Sequence, residues 1–473
     1  MIAGRQLNIG LIALAMAGLA VADERDERWT PDKYRDLFTE AEAKQPHVRP
    51  TSHDLREFPF LDGQWLGILA DSDGDVWFGV SSHSKELPAQ LFVYKQEDEK
   101  VHHVADLDQV CGEKLTGNPP QDKIHTPMFQ DGDSIYCGTC EGHTIPGNPY
   151  KGGYYLRINR KTGIVENMGK SMTNDGLLGM SYDPDRGVLY GHTNRSGELT
   201  EFDLETREER VIGVPWQDVI DRWKASDAPD KPKQIWVRNA DHMRTSDGRI
   251  IGVMHPPGKF WCYNPGTDEI TTFRVDMPPP RDIKVLPETT EGLSSRETKQ
   301  VDRTRRQWER SAFHRFEWDE QDQCFYIIRS FDQMLCRFYP PDADGQGGRI
   351  ETIHEMGKKK RLWGNRPAAC TIDIIDRTVY YTPTTGWGGT VNLTSYNLET
   401  ETFTNHGPII CEGGRRNAEI HSMDAGKDGR LYAVTFTYSI ENVDPVRRWA
   451  MRGAYPFHPR FIIIDPETDL ITP

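Results

Sequence analysis

Ile124-His125-Thr126-Pro127-Met128-Phe129-Gln130-Asp131-Gly132-Asp133-Ser134-Ile135-Tyr136-Cys137-Gly138-Thr139 reads as two short strands joined by an Asp-Gly turn. The pattern returns near the C-terminus as Glu419-Ile420-His421-Ser422, then Asp428-Gly429-Arg430-Leu431-Tyr432-Ala433-Val434-Thr435. In both copies the histidine stands eleven residues before the tyrosine, His125 before Tyr136 and His421 before Tyr432. A histidine held in register across an internal repeat is a geometric signal before it is a chemical one.

Five more pairs of this kind lie along the chain. The first is Trp65–Leu69 with Val76–Val80 around Asp73-Gly74. The others are Leu178–Tyr182 with Val188–Gly191, Asp241–Arg244 with Ile250–Val253, Phe313–Phe316 with Cys324–Ile327, and Cys370–Ile374 with Val379–Tyr381. A third strand ends most units in a recurring turn, as in Asn159-Arg160-Lys161-Thr162, Asp203-Leu204-Glu205-Thr206 and Asn397-Leu398-Glu399-Thr400. A shorter outer strand such as Arg210-Val211-Ile212 follows. Seven such units of about fifty residues predict an all-β, seven-bladed β-propeller over residues 61–473. Charged insertions at about 214–233 and 279–308 read as loops or short helices.

Composition agrees with a turn-rich β protein. The chain has 473 residues, 36% hydrophobic, with 42 Gly and 31 Pro, enough for a large core. At the N-terminus Arg5, the apolar run Leu11–Ala22 and the ending Ala20-Val21-Ala22 describe a secretory signal peptide over residues 1–22. That predicts a secreted or periplasmic protein. Residues 23–60 read as a helix and arm laid on the body. No other apolar run approaches a membrane span, so no membrane partner is expected. The formal charge is −15, or −16 without Arg5, which argues against nucleic acid. Eight cysteines in so long a chain do not make a disulfide scaffold, and Cys137-x-x-Cys140 has no second pair to complete a zinc ribbon.

Propeller geometry selects candidate residues. Each blade runs outward from the axis, so starts of innermost strands and ends of second strands emerge on one face. That gathers His125, His242, His314 and His421 with His143, Arg195 and His255. The segments Asp122-Lys123-Ile124-His125-Thr126-Pro127, Ile135–Thr139, Gly142-His143 and Gly176–Gly191 resemble the seven-bladed propeller polysaccharide lyases, most of all the ulvan lyases. The likeness is strongest over about 120–215. It implies β-elimination of a uronate-containing, sulfated algal polysaccharide. It also implies a His and Tyr pair for proton transfer and an Arg against the uronate carboxylate. The positions that match are His125 and His143, with Arg195 as the arginine and Tyr182 or Tyr190 as the tyrosine.

The chemistry asks for these types independently. A weakly acidic proton needs a positioned base, and charge growing on a carboxylate needs a fixed guanidinium. Tyr190 also aligns with Trp77, Tyr136 and Tyr432, which favours core packing; Tyr182 interrupts its apolar run and is the catalytic candidate. His242, Arg244, Tyr190 and Arg361 are the substrate-binding candidates. Arg361 closes the run Lys358-Lys359-Lys360-Arg361, which with Arg415-Arg416 would attract an acidic glycan; Trp363 and Trp387 could stack on sugar rings. His314, Cys370 and His421 begin three successive inner strands and suit one structural zinc, with His406 or Cys411 as a fourth ligand. No organic cofactor is expected, and a monomer is. The competing readings are a metal-dependent oligogalacturonate-type propeller lyase and a non-enzymatic propeller that binds glycan or protein.

Overall fold

A computed structural model describes residues 41–55, 57–58, 61, 63–82, 87–114, 116–141, 148–194, 196–215, 217, 221, 242–254, 258–309, 311, 313–329, 331–342, 346–356, 371–382, 391–438 and 457–473. Seven antiparallel sheets follow one another around a ring, which is the seven-bladed β-propeller. Blade one is Ile68–Ala70, Val76–Val80, Gln90–Lys95 and Lys100–Asp106, from the axis outward. Blades two to six repeat that order, starting at Lys123, Leu177, His242, Phe313 and Ile372.

Second strands are buried on both faces because a blade packs against each side of them. All five residues of Val76–Val80 and all six of Cys324–Arg329 are buried. Outer strands such as Glu269–Arg274 face water and are largely exposed. Side chains fill the seams between blades, as where Phe78 of blade one stacks on Phe461 of blade seven at 4.7 Å.

The recurring turn has a local cause. Asn159 Oδ1 accepts the Lys161 and Thr162 amides at 3.1 and 3.0 Å. Asp203 and Asn397 do the same in blades three and six. Each side chain replaces a backbone acceptor and turns the chain toward its outer strand. In blade six the first hairpin turns on Asp376 and Arg377, both left-handed at φ 43° and 63°, which is the twist a two-residue hairpin needs.

The ring closes in a way the repeat did not predict. In blade seven Met423–Ala425, Leu431–Tyr438 and Phe457–Ile464 are joined on the outside by Thr51–Asp54. Leu470–Ile471 pairs instead with His47–Val48. The arm expected over residues 23–60 therefore supplies a strand to the last blade, and the ring begins at residue 51. Closure rests on backbone hydrogen bonds between distant parts of the chain, backed by Arg460 to Asp54 at 3.3 Å.

The insertion after blade four holds helices Arg281–Lys284 and Ser295–Glu309. Ser294 and Glu297 cap the longer one reciprocally, Ser294 N to Glu297 Oε2 at 2.9 Å and Glu297 N to Ser294 Oγ at 3.4 Å. The seven described cysteines are all free and buried. Cys137 and Cys140 lie three apart on one strand and point to opposite faces, so the C-x-x-C is no redox pair. No helix among the described residues is long and apolar enough to cross a membrane. The expected signal peptide over residues 1–22 and most of the insertion expected at about 214–233 lie outside the described residues.

Candidate active site

The face where inner strands begin, here the entry face, is assembled from the loop before blade two. Helix Leu107–Cys111 is capped by Asp106, whose Oδ1 accepts Gln109 N at 3.0 Å. Glu113 then ties the loop to the blade. It accepts Tyr154 Oη at 2.6 Å, Asn118 Nδ2 at 2.7 Å, Thr116 Oγ1 at 2.8 Å and Lys170 Nζ at 3.2 Å. Burial pushes this carboxyl up, but those hydrogen bonds outweigh burial and hold it at about 2. Gln121 follows, its Oε1 accepting the Thr139 and Tyr150 hydroxyls. The fixed loop delivers Lys123-Ile124 to the blade edge and His125 just beyond it.

His125 Nδ1 lies 2.9 Å from the Leu178 carbonyl oxygen of blade three. A carbonyl only accepts, so Nδ1 carries the proton and the basic nitrogen of the neutral ring is Nε2. Trp65 of blade one stacks on the His125 ring at 4.9 Å and 17°. The Trp65 ring also meets His421 of blade seven, at 4.5 Å and 42°. Lys123 Nζ stands 4.6 Å over the indole. Three rings from three blades thus form one shelf at the mouth of the axial channel, each half-buried.

Arg315 closes the shelf from the far side. It occupies a bulge between His314 and Phe316, left-handed at φ 57°, the device that re-aims a side chain. Its guanidinium donates to the His421 carbonyl, reaching from blade five past blade six to blade seven. Asp373 of blade six and Asp424 of blade seven sit beneath. Asp373 Oδ2 accepts Ala425 N, and Asp424 Oδ2 accepts Ala70 N, both at 2.6 Å. Burial pushes Asp373 up against its backbone hydrogen bonds and Arg315. Asp424 is raised by burial and by the Asp373 charge, again against Arg315. Taken as whole residues, both are half-buried.

The sequence candidates divide. His125 and His421 come together around Trp65. Tyr182 does not join them: its strand runs Leu177–Asp183, so it lies at the far end, and its hydroxyl donates to Asp131 Oδ2 at 2.7 Å. Burial and that carboxylate raise its pKa. Arg244 is also at that far face, with Nε on Asp183 Oδ1 at 2.9 Å and a second pair to Asp185. Tyr190 is fully buried between blades three and four, 5.5 Å from the Tyr263 ring, and is core rather than a substrate contact. His242 is buried in the same seam, its Nδ1 2.7 Å from Ser181 Oγ, so it too is removed from the shelf. Tyr182 and Arg244 lie deeper along their strands than the shelf, whereas His242 begins its strand as expected but turns its ring into the seam, and Tyr190 is core.

His143, Arg195, His255, Arg361, Trp363, Cys370 and Trp387 lie outside the described residues. His314 begins the inner strand of blade five as expected, paired with Ile328. His406 lies on the outer strand of blade six, its Nε2 2.7 Å from Ser395 Oγ. Cys411 is buried between blades six and seven, its Sγ 3.2 Å from Asn417 Oδ1. Neither reaches the axis, which removes both as fourth zinc ligands. Among the described residues no three His, Cys, Asp or Glu side chains are grouped to hold a metal.

Trp65, Lys123, Arg315, Asp373 and Asp424 were not singled out from sequence. A signal existed for the last two. They oppose Tyr380 and Tyr432 in their hairpins, the place Leu69 holds opposite Trp77. A carboxylate replacing a leucine at one repeat position marks the channel wall.

No family model matches the chain, and no curated protein matches it. Solved structures share its fold. An extracellular domain from B. thetaiotaomicron aligns with TM-score 0.46 and 12% identity over 87% of this chain and 40% of that one. Virginiamycin B lyase from Staphylococcus aureus gives 0.45 and 12% over 88% and 98%. YCF48 from Cyanidioschyzon merolae gives 0.47 and 10% over 87% and 98%. The chain thus spans under half of the first and nearly all of the other two. These likenesses concern the fold alone.

Proposed function

We propose that this chain is an exported lyase that cleaves a uronate-containing, sulfated polysaccharide of the ulvan type by β-elimination at the Trp65–His125–His421 shelf. The observation that carries the reading is the His125 tautomer: the Leu178 carbonyl holds the proton on Nδ1 and leaves Nε2 as the base, beside an aromatic platform. Nε2 takes the proton alpha to the uronate carboxylate. The pair left by that proton forms a double bond conjugated to the carboxylate, and the carbon–oxygen bond to the next sugar breaks with its electrons leaving on the oxygen. Such a proton transfer contributes about 10²–10⁴ in rate. Lys123 and Arg315 supply positive charge at the mouth of a chain whose net charge is negative. With Tyr182 and Tyr190 elsewhere, His421, 4.5 Å from the Trp65 ring, is placed to pass a proton to the leaving oxygen. Export is supported by the composition of residues 1–22.

The test is incubation with ulvan and with other uronate polymers while following ultraviolet absorbance and chain length together. Absorbance rising as length falls supports the lyase. New reducing ends without absorbance make it a hydrolase. The position of Tyr182 on the opposite face favours a second reading, a propeller that holds acidic glycan without cutting it; saturable binding with no cleavage would establish that one.

A further inference from the structure

Between blades three and four lies a buried histidine that the proposed chemistry does not use. His192 stands on the second strand of blade three, Val188–Thr193, and is 0% exposed. Neither of its ring nitrogens has a hydrogen-bond partner. Burial lowers its pKa from 6.5 to about 4, against a smaller opposite pull from the Gly197 backbone. Its ring packs edge-on to His242 of blade four at 6.2 Å and to Trp261 at 6.3 Å. Ser181 holds the His242 ring, and further along the seam Tyr190 meets Tyr263. The charged residues on the strands around it are engaged or distant. Arg244 pairs with Asp183, Arg210 with Glu201, Glu198 accepts Ser196 Oγ, and Lys259 begins the third strand of blade four. None of them contributes to the His192 shift.

His192 sits where the setting of His125 is decided. The register between the first two strands of blade three slips between Leu177, opposite Thr193, and Gly179, opposite His192. Leu178 is the extra residue of that bulge, and its carbonyl accepts His125 Nδ1 at 2.9 Å. Directly opposed residues of an antiparallel pair share a face, and Gly179 has no side chain. At that register the imidazole of His192 is therefore what the two strands place in the seam. An imidazolium formed there would be a desolvated charge without a described counter-charge, a state that drives the group toward water. The closed seam binds this proton less readily than an open one. It is therefore fully favoured above pH 6.5 and loses ground as pH falls toward about 4.

We propose that His192 is an acid-sensitive positioning residue: the neutral ring packs the bulge that presents the Leu178 carbonyl to His125, and the protonated ring opens that bulge. Its effect on turnover rests on the reading of His125 as the base; the opening itself does not. The consequence is loss of the set His125 tautomer in mildly acidic medium while the rest of the propeller stays folded.

The test is amide hydrogen exchange on the full chain, read by mass spectrometry across pH and corrected for the intrinsic exchange rate. Protection of Leu177–Asp183 and Val188–Thr193 should fall roughly tenfold or more between pH 6.5 and about 4.5, while Val76–Val80 of blade one keeps its own. His192→Phe keeps a ring and His192→Asn a polar side chain, and neither takes a proton. Whichever folds should lose the pH dependence. No added exchange in wild type would overturn the proposal, and so would an equal rise in blade one or the same fall in a folded variant. The link to His125 is read on ulvan. Turnover should fall less steeply below about pH 6 in the variant than in wild type, and identical acid limbs would overturn that link. No turnover by any of these proteins would overturn the lyase reading alone, because exchange is read without substrate.

Discussion

The two faces of the propeller are built from different chemistry. On the turn face, arginines clasp aspartates across neighbouring blades. Arg160 of blade two meets Asp71 and Asp73 of blade one, at 3.6 and 2.5 Å. Arg244 of blade four meets Asp183 and Asp185 of blade three. Arg377 of blade six meets Asp319 and Asp322 of blade five, at 2.6 and 2.8 Å. Charge is matched pair by pair, and the same aspartates shape the turns. On the entry face the described groups near the axis are rings, a lysine over an indole, and one arginine stretched across three blades. There the hydrogen bonds that cross between blades also select a tautomer, as where the Leu178 carbonyl of blade three holds the proton on His125 Nδ1. The turn face carries matched ion pairs between blades, and the entry face is where the proposed chemistry would take place.

The largest test of that contrast is His125→Ala. If Nε2 takes the substrate proton, turnover on ulvan should fall by about 10²–10⁴ with melting temperature nearly unchanged. An unfolded variant would instead make the His125–Leu178 hydrogen bond part of the clasp.

Glu113 tests whether the entry face has a structural anchor of its own. Its carboxyl is held at about 2 against an ordinary 4.5, so its contribution is complete above pH 4.5 and lost as pH falls through about 2. At roughly 1.4 kcal/mol per unit the full contribution is about 3 kcal/mol. Glu113→Gln should therefore lower stability at pH 6 by up to that amount and flatten the loss between pH 4.5 and 2. Denaturant midpoints of both proteins across that range measure it. Parallel curves would show that Glu113 does not anchor the loop before His125.

Arg377→Met addresses the clasp directly. Removing the guanidinium leaves Asp319, 8% exposed, without its cross-blade partner. A loss of about 1–3 kcal/mol is expected in denaturant unfolding, with turnover per folded molecule unchanged. A loss of turnover without a loss of stability would mean the turn face is not merely structural.

What sequence revealed and what it hid have physical causes. The blades were legible because Asx turns and Asp-Gly hairpins demand particular residues, and those recur. The closing strand Thr51–Asp54 was not legible, because Thr-Ser-His-Asp on an outer edge has no apolar alternation and its partner Ile463 lies far along the chain. His125 and His421 were legible through their fixed distance to a buried tyrosine. Arg315 was not, since a bulge shifts it by one residue and reverses which way it points. Trp65 reads as strand but precedes the paired segment, which begins at Ile68. The cross-blade meeting of these side chains is a property of ring closure that no local window contains.

Tyr182→Phe is the smallest expected change and the sharpest discriminator between the faces. The hydroxyl donates one exposed hydrogen bond to Asp131, so its removal should cost at most about 1 kcal/mol. The ring keeps its contact with Tyr136 at 5.8 Å, which limits any repacking. Its pKa is raised by burial and by Asp131, the wrong direction for a phenolate base near neutral pH. Turnover should therefore stay within about twofold of wild type, far from the 10²-fold loss expected for a proton-transfer group. The measurement is the initial rate of absorbance increase at saturating polymer, set beside the melting temperature of each sample. A hundredfold loss in a stable Tyr182→Phe protein would move the chemistry to the turn face, and the shelf around Trp65 would then be a binding surface for the distal part of the chain.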